Sequence, residues 1–515
     1  MDQRGIHHDI SGPSALQEAW KMRGTVQRHQ GMESMSEGLL NDMGRKKSLV
    51  RNTFILSLGR LLPRFTALVT LPIYTAMLTT AEYGSYDLIV VVQYIIENSV
   101  LLQISQAIFR FLIDSEEEGK EKNVISTGII FALAPSLFSA LFLGAAYSAY
   151  GLRCCIAIGL YMIIVAYYNV FAQIARGLRK TKEYSLAAVI QAVVNMVLVV
   201  LLLNGLKLGL FGLFVCIDCA YFAGAVFLSA ACGLWKYFSP SYFDKKMLKE
   251  MLLYSWPMVP NTLSLWIIGV CDKFIIRLFL GLEQNGIYAV AQKIPNLFSV
   301  AYGTFNLAWQ ESAFLAVSDK NHDDYYSEIF SMLFRFLIGC MLLLIAATPA
   351  LFVLLVRGDY EAAYNQMPIL YIAILLDCIA SFLGSIYLAK KETKSVGVTS
   401  ALGAACNCII NLTLIKKYGL YAASISTAVS YMVLVLYRKH DLKRRGLVKI
   451  KYEESVIVSS VALLAISVVL YFQRSVICVI ANIALAIFMA FMLNRRMLGQ
   501  MARFVKNKIR RGSIE

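Results

Sequence analysis

Charge is scarce in this chain. Only 16% of its 515 residues are Asp, Glu, Lys or Arg and 58% are hydrophobic, whereas soluble domains carry roughly 25% charged residues. The mean hydropathy of +0.61 excludes a soluble globular protein. Histidine is scarcer still. The five residues His7, His8, His29, His322 and His440 all fall in tails or polar loops, so no imidazole base or ligand is expected inside a membrane. A cysteine framework is also missing. All eleven cysteines, from Cys154 to Cys478, lie in or beside apolar segments. Cys216 and Cys219 form a CxxC, but its helical spacing in an apolar run points to packing rather than redox or zinc chemistry. Residues 1–47 have no signal-peptide h-region and read as a loose polar cytoplasmic tail, with Met35 and Met43 as further available starts.

What the chain does have is a succession of apolar runs of about 20 residues, the length that crosses roughly 30 Å of hydrocarbon. They predict an all-α integral membrane protein. Helices are expected at about 52–78, 86–112, 122–148, 152–175, 183–204, 209–234, 251–280, 287–316, 328–356, 364–389, 395–415, 419–438, 453–472 and 475–494. That makes fourteen, an even number.

The net charge of +16 does not indicate nucleic acid, because it alternates loop by loop. One set of loops carries Arg176, Arg179, Lys180 and Lys182, then Lys236, Lys245 and Lys246, then Lys390, Lys391 and Lys394, then Arg438, Lys439, Lys443 and Arg444. The other set holds little more than Arg153, Lys207, Arg357, Lys416, Lys417 and Arg474. By the positive-inside rule the basic loops and both termini are cytoplasmic. Such ends also attract anionic lipid headgroups.

The chain repeats itself. LTTAEYGSYDLI from Leu78 matches LGLEQNGIYAVA from Leu280, pairing Gly84 with Gly286 and Tyr86 with Tyr288. Thr181 and Lys182 likewise answer Thr393 and Lys394, and Asn195 answers Asn407. Each offset slightly exceeds 200 residues, or six helices, so the repeats are parallel. Parallel repeats enclose substrate between two bundles. The expected organisation is a tail at 1–47, six-helix bundles at 48–240 and 241–440, and an appendix of two helices with a basic tail at 441–515.

Ionisable residues inside a bilayer cost at least about 2.5 kcal/mol each and so mark function or pairing. Arg60 and Arg64 share a face of helix 1; Lys273 and Arg277 share a face of helix 7, and Lys293 enters helix 8. These five outnumber convincing anionic partners, which points to an anionic substrate such as a phosphate or pyrophosphate headgroup. Glu97, Asp272, Glu311 and Asp377 are candidates for ion coupling or for charge pairing. Asp272 is expected to be partly neutralised by Lys273, and Asp87 and Arg110 are expected to reach the interface.

The stretches NTFILSLGRLLPRFTALVTLPIYTAMLTTAEYGSYDLI from Asn52 and DKFIIRLFLGLEQNGIYAVAQKIP from Asp272 resemble the polysaccharide transport family. These are the O-antigen and capsule-repeat flippases of the multidrug, oligosaccharidyl-lipid and polysaccharide exporter superfamily. The resemblance implies translocation of an undecaprenyl-diphosphate-linked oligosaccharide across the bacterial cytoplasmic membrane, by alternating access around a cationic cavity. It also implies a lipid-tail groove at the last two helices. No bond is made or broken and no cofactor is implied, but a proton or sodium gradient is expected to drive transport. Polysaccharide polymerase and glycosyltransferases are the expected partners, besides membrane lipids.

Three other readings compete with this one. A multidrug exporter of the same superfamily wants an apolar or acidic cavity, which the cations oppose. A lipid II flippase shares the headgroup. A membrane polymerase, ligase or acyltransferase would bring a large outer loop or intramembrane histidine, and the sequence has neither.

Overall fold

The computed structural model describes residues 66–113, 119–146, 150–317, 321–451 and 453–512. Its elements are helices α1 Thr66–Met77, α2 Thr80–Val100, α3 Ile104–Ile113, α4 Lys120–Ala146, α5 Leu152–Gly177, α6 Thr181–Leu198, α7 Gly209–Cys232 and α8 Lys245–Ser255, followed by α9 Met258–Phe279 and α10 Leu282–Ala316. Then come α11 His322–Leu355, α12 Glu361–Ala389, α13 Thr393–Tyr418, α14 Leu420–Arg444, α15 Glu454–Phe472 and α16 Val476–Gly512. Every one of the fourteen expected segments contains helix. Among the described residues ten helices are long and apolar enough to cross a bilayer alone, and the bent pair α2 and α3 makes an eleventh span.

Two of the expected helices are broken. Helix 2 bends by 57° between α2 and α3. Leu102 and Gln103 there adopt φ of 49° and 54°, a left-handed conformation that costs a side-chain-bearing residue roughly 1–2 kcal/mol. Helix 7 divides at Trp256 and Pro257, because proline has no N–H to continue the ladder. Its first part, α8, is a short amphipathic helix capped by Asp244, which accepts from Lys246 N at 2.7 Å.

Helices α2 to α7 pack on one another, as do α9 to α14, and α15 and α16 lie against α11. The second bundle shares an apolar core with α15 and α16 around Tyr326, Phe382 and Tyr471. The repeat is visible in backbone geometry. Arg179 and Lys391, at matching positions before α6 and α13, have φ of 60° and 61°. Gly209 and Gly419 have 56° and 57°.

At the end opposite the basic loops the bundles are joined. A Cβ on Gly84 would overlap the Leu282 carbonyl oxygen, and one on Gly286 would overlap that of Thr80, so α2 and α10 cross backbone to backbone. Arg357 N donates to Thr75 Oγ1 at 2.8 Å, and Tyr360 OH donates to the Leu78 carbonyl at 3.3 Å. Thr79 and Glu82 form a capping box that starts α2 there, and Glu82 also accepts from Leu210 N of α7 at 3.3 Å.

Candidate functional site

Asp272 and Lys273 are adjacent on α9 and therefore point about 100° apart. That angle sends them to different bundles. Lys273 Nζ reaches Asp87 Oδ2 on α2 at 2.7 Å, with the two side chains 12% and 9% exposed. Asp272 turns into the second bundle. Its Oδ1 accepts from Asn411 Nδ2 at 2.8 Å, and its Oδ2 accepts from Thr427 Oγ1 at 2.6 Å and Tyr288 OH at 3.3 Å. The expected neutralisation of Asp272 by Lys273 is therefore wrong. So is the placing of Asp87 at the interface, since it is buried and bonded across the bundles.

The remaining predicted cations divide. Lys293 of α10 lies over the Tyr83 ring at 5.9 Å. Tyr83 and Asp87 are one turn apart on α2, so Lys273 and Lys293 approach the same stretch of that helix from two elements of the second bundle. Arg277 is exposed in the last turn of α9, where its charge suits the helix C-terminus. Arg60 and Arg64 lie outside the described residues.

The carboxylates also divide. Asp377 of α12 shares with Asp272 a polar cavity of about 110 Å³, lined also by Gln292, Asn296, Thr427 and Tyr431. A neighbouring cavity of about 330 Å³ runs from Asp377, Asn407 and Thr427 toward Leu388 and Arg438 at the basic end. Around Asp272 the donors are neutral and oxygen-rich, and Asn411 Oδ1 is buried with no hydrogen-bond partner. The oxygens of Asp272, Asn411 and Thr427 are the atoms there that could hold a small hard cation. Glu97 lies in the first bundle, accepting from Gln93 Nε2 at 2.6 Å and Asn169 Nδ2 at 2.7 Å. Glu311 falls within α10, and its side chain is outside the described residues.

Several functional positions escaped sequence reasoning. Arg438 counts as a loop residue by sequence, yet it is 4% exposed inside α14. It donates to the Ala380 carbonyl at 2.7 Å, Thr399 Oγ1 at 3.0 Å and Ser400 Oγ at 2.9 Å. Asn411 carried a readable signal: it is one turn from the repeat landmark Asn407 and so shares its face. The helical partners of Asn195 and Asn407 repeat as well. Asn195 Nδ2 donates to Tyr74 OH of α1 at 3.3 Å, and Asn407 Oδ1 faces Cys271 Sγ of α9 at 3.4 Å. Cys216 and Cys219 are free, as are the other described cysteines.

Known proteins bear on this arrangement in three ways. The probable low-salt glycan biosynthesis flippase Agl15 of Haloferax volcanii is 24% identical over 219 residues, 41% of this chain and 45% of that protein. The chain thus spans less than half the length of that relative. An uncharacterized membrane protein of Methanocaldococcus jannaschii is 25% identical over 304 residues, 54% of this chain and 69% of its own. Among solved structures, the lipid II flippase MurJ in an inward closed conformation superposes with a TM-score of 0.65 at 13% identity, covering 87% of this chain and all of that one. An inward-facing MATE multidrug transporter gives 0.60 at 15% identity, covering 76% and 95%. The chain shares the fold of these two structures. The model of the polysaccharide biosynthesis protein family matches residues 49–309, just over half of the chain and including both lysines that converge on α2, and the chain belongs to that family.

Proposed function

We propose that this protein flips a lipid-linked oligosaccharide, its sugar joined to undecaprenyl through a diphosphate, from the cytoplasmic to the outer leaflet of a bacterial inner membrane. The observation that carries this reading is the convergence of Lys273 and Lys293 on one stretch of α2. Two cations from the second repeat, set against the first, suit a headgroup with two adjacent phosphates. Sugar and diphosphate travel between the bundles while the polyprenyl chain stays in lipid beside α15 and α16. The basic loops and both termini face the cytoplasm. Arg60, Arg64 and Arg277 extend the cationic lining on this reading.

Coupling belongs to the second bundle. A sodium ion or proton taken up at Asp272, with Asn411 and Thr427 as further oxygen donors and Asp377 across the shared cavity, biases the equilibrium between the two access states. Glu97, in the first bundle, serves as a pairing carboxyl held by Gln93 and Asn169. A multidrug exporter is disfavoured because cationic drugs would meet lysines. A lipid II flippase is separated from the proposed function only by the sugar carried.

The test is flipping of a fluorescent undecaprenyl-diphosphate oligosaccharide in proteoliposomes. Lys273→Gln and Lys293→Gln are each expected to slow the initial rate at least tenfold, about 1.4 kcal/mol. Normal rates in both folded variants would reject the site.

A further inference from the structure

In the state described here Lys273 is already occupied by a carboxylate. Asp87 holds it at 2.7 Å, with both side chains nearly out of solvent. Asp272, the one acid in the sequence of α9, does not compete for that role, because its oxygens are taken by Asn411, Thr427 and Tyr288. Lys293, in contrast, rests on the π face of Tyr83 one turn away. Among the described residues, an anion entering between the bundles therefore meets one lysine held by an internal acid and one held by a ring.

We propose that Asp87 is a built-in competitor at the headgroup site, which sets the affinity an anion must exceed to be carried. The proposal rests on the reading above that the headgroup is a diphosphate. Displacing Asp87 subtracts the same free energy from every ligand, since the apparent affinity is the intrinsic one scaled by the fraction of sites with Lys273 released. The consequence differs between ligands. A phosphodiester headgroup, such as that of phosphatidylglycerol, brings one charge, the same as the carboxylate it must replace, and it loses translational freedom that Asp87 does not. A diphosphodiester brings two charges and engages Lys293 with one phosphate as it takes Lys273 with the other. Bulk phospholipid vastly outnumbers any lipid-linked sugar in a bilayer. A bare lysine pair open to lipid would fill with phosphodiesters, and the competitor prevents that by lowering every apparent affinity equally, so that the weaker-binding phosphodiester falls below occupancy first.

A matched pair of probes tests this on the full-length purified chain: farnesyl diphosphate N-acetylglucosamine, a diphosphodiester, and farnesyl phosphate N-acetylglucosamine, a phosphodiester. Both have one tail and one sugar. Asp87→Asn is expected to tighten binding of both by tenfold or more, and to make flipping sensitive to phosphatidylglycerol in vesicles where the parent protein is not. If Asp87→Asn does not fold, Asp87→Thr carries the same expectation. Binding of the diphosphodiester that depends on Lys273 but is unchanged or weakened in Asp87→Asn would overturn the competitor and leave the headgroup reading standing. A parent chain that ignores the diphosphodiester, with Asp87→Asn gaining affinity for both anions, would uphold the competitor and reject the diphosphate. Failure of the parent and the variant to bind either probe would overturn both.

Discussion

Gly84 and Gly286 occupy the same position in the two repeats and touch each other. A Cβ added to Gly84 would lie 2.8 Å from Gly286 N, and one added to Gly286 would lie 3.0 Å from Gly84 N. Their overlaps are reciprocal too, with Leu282 and Thr80, which are themselves at matching positions. The contact is thus isologous, and the axis relating the bundles passes between the two glycines. Asn285 Nδ2 donates to the Gly84 carbonyl at 3.0 Å and fixes the crossing.

Closure at this end consequently depends on two absent side chains. Gly286→Val forces α2 and α10 apart at a cost of about 1–3 kcal/mol, a shift of roughly 5- to 150-fold away from the closed state. Hydrogen exchange over 78–90 and 281–292 is expected to rise, and the flipping rate to fall. Unchanged protection in both segments would show that the glycines do not control closure.

On the proposed reading Asp272 belongs to coupling and not to substrate handling. Asp272→Asn keeps a polar group among Asn411, Thr427 and Tyr288 while removing the charge, so the fold is expected to survive. Flipping should lose its stimulation by an imposed sodium or proton gradient while headgroup binding at Lys273 persists. Thr427→Val should lower cation affinity about tenfold, the loss of one oxygen donor at about 1–2 kcal/mol. Full gradient stimulation in Asp272→Asn would remove the residue from the coupling path.

The helix plan was legible because bilayer thickness dictates the length of an apolar run. The repeat was legible at turns, where Thr181, Gly209 and their counterparts punctuate the backbone, and inside α2 and α10 at Gly84 and Gly286. The break at 101–103 was not. Leu101, Leu102 and Gln103 carry no proline or glycine, and their conformation is imposed by packing. Cations were visible one by one, but their partners were not. The match of Lys273 to Asp87 joins residues 186 apart in sequence, and it is decided by which way α9 faces. Arg438 was misread because the helix continues past the apolar run to Arg444, carrying a basic residue inward.

The appendix is pinned by a reciprocal pair. Tyr364 OH donates to the Tyr471 carbonyl at 3.0 Å and Tyr471 OH to that of Tyr364 at 2.7 Å, with the rings stacked at 4.2 Å. Arg474 covers the Tyr364 ring and pairs with Glu361. Tyr471→Ala removes the stack and the hydrogen bond made by its own hydroxyl, about 1–3 kcal/mol in all, while the Tyr471 carbonyl still accepts from Tyr364. Faster proteolysis between α14 and α15 with an intact α9 to α14 bundle is the expected result. Equal protease resistance would place the anchor elsewhere, for instance at Ser467 and Asn482, which hydrogen-bond at 2.8 Å.

Arg438 and Arg445 lie two turns apart near the end of α14, and they should behave oppositely. Arg438 is buried and hydrogen-bonded to Ala380, Thr399 and Ser400, while Arg445 is solvated and pairs with Glu392 at 2.8 Å, holding that carboxyl below its usual range. A buried guanidinium satisfied by neutral oxygens contributes about 1.5–3 kcal/mol per hydrogen bond when its removal strands the acceptors, whereas exposed pairs are screened by water and salt. Arg438→Gln is therefore expected to lower the Tm by several degrees and Arg445→Gln to leave it unchanged. The Arg438 result also bears on the cavity it lines. If Arg438→Gln keeps its stability but loses gradient stimulation, the residue serves the cation route from Asp377 rather than the packing of α12, α13 and α14, and thermal melting with flipping assays on the same preparation separates the two.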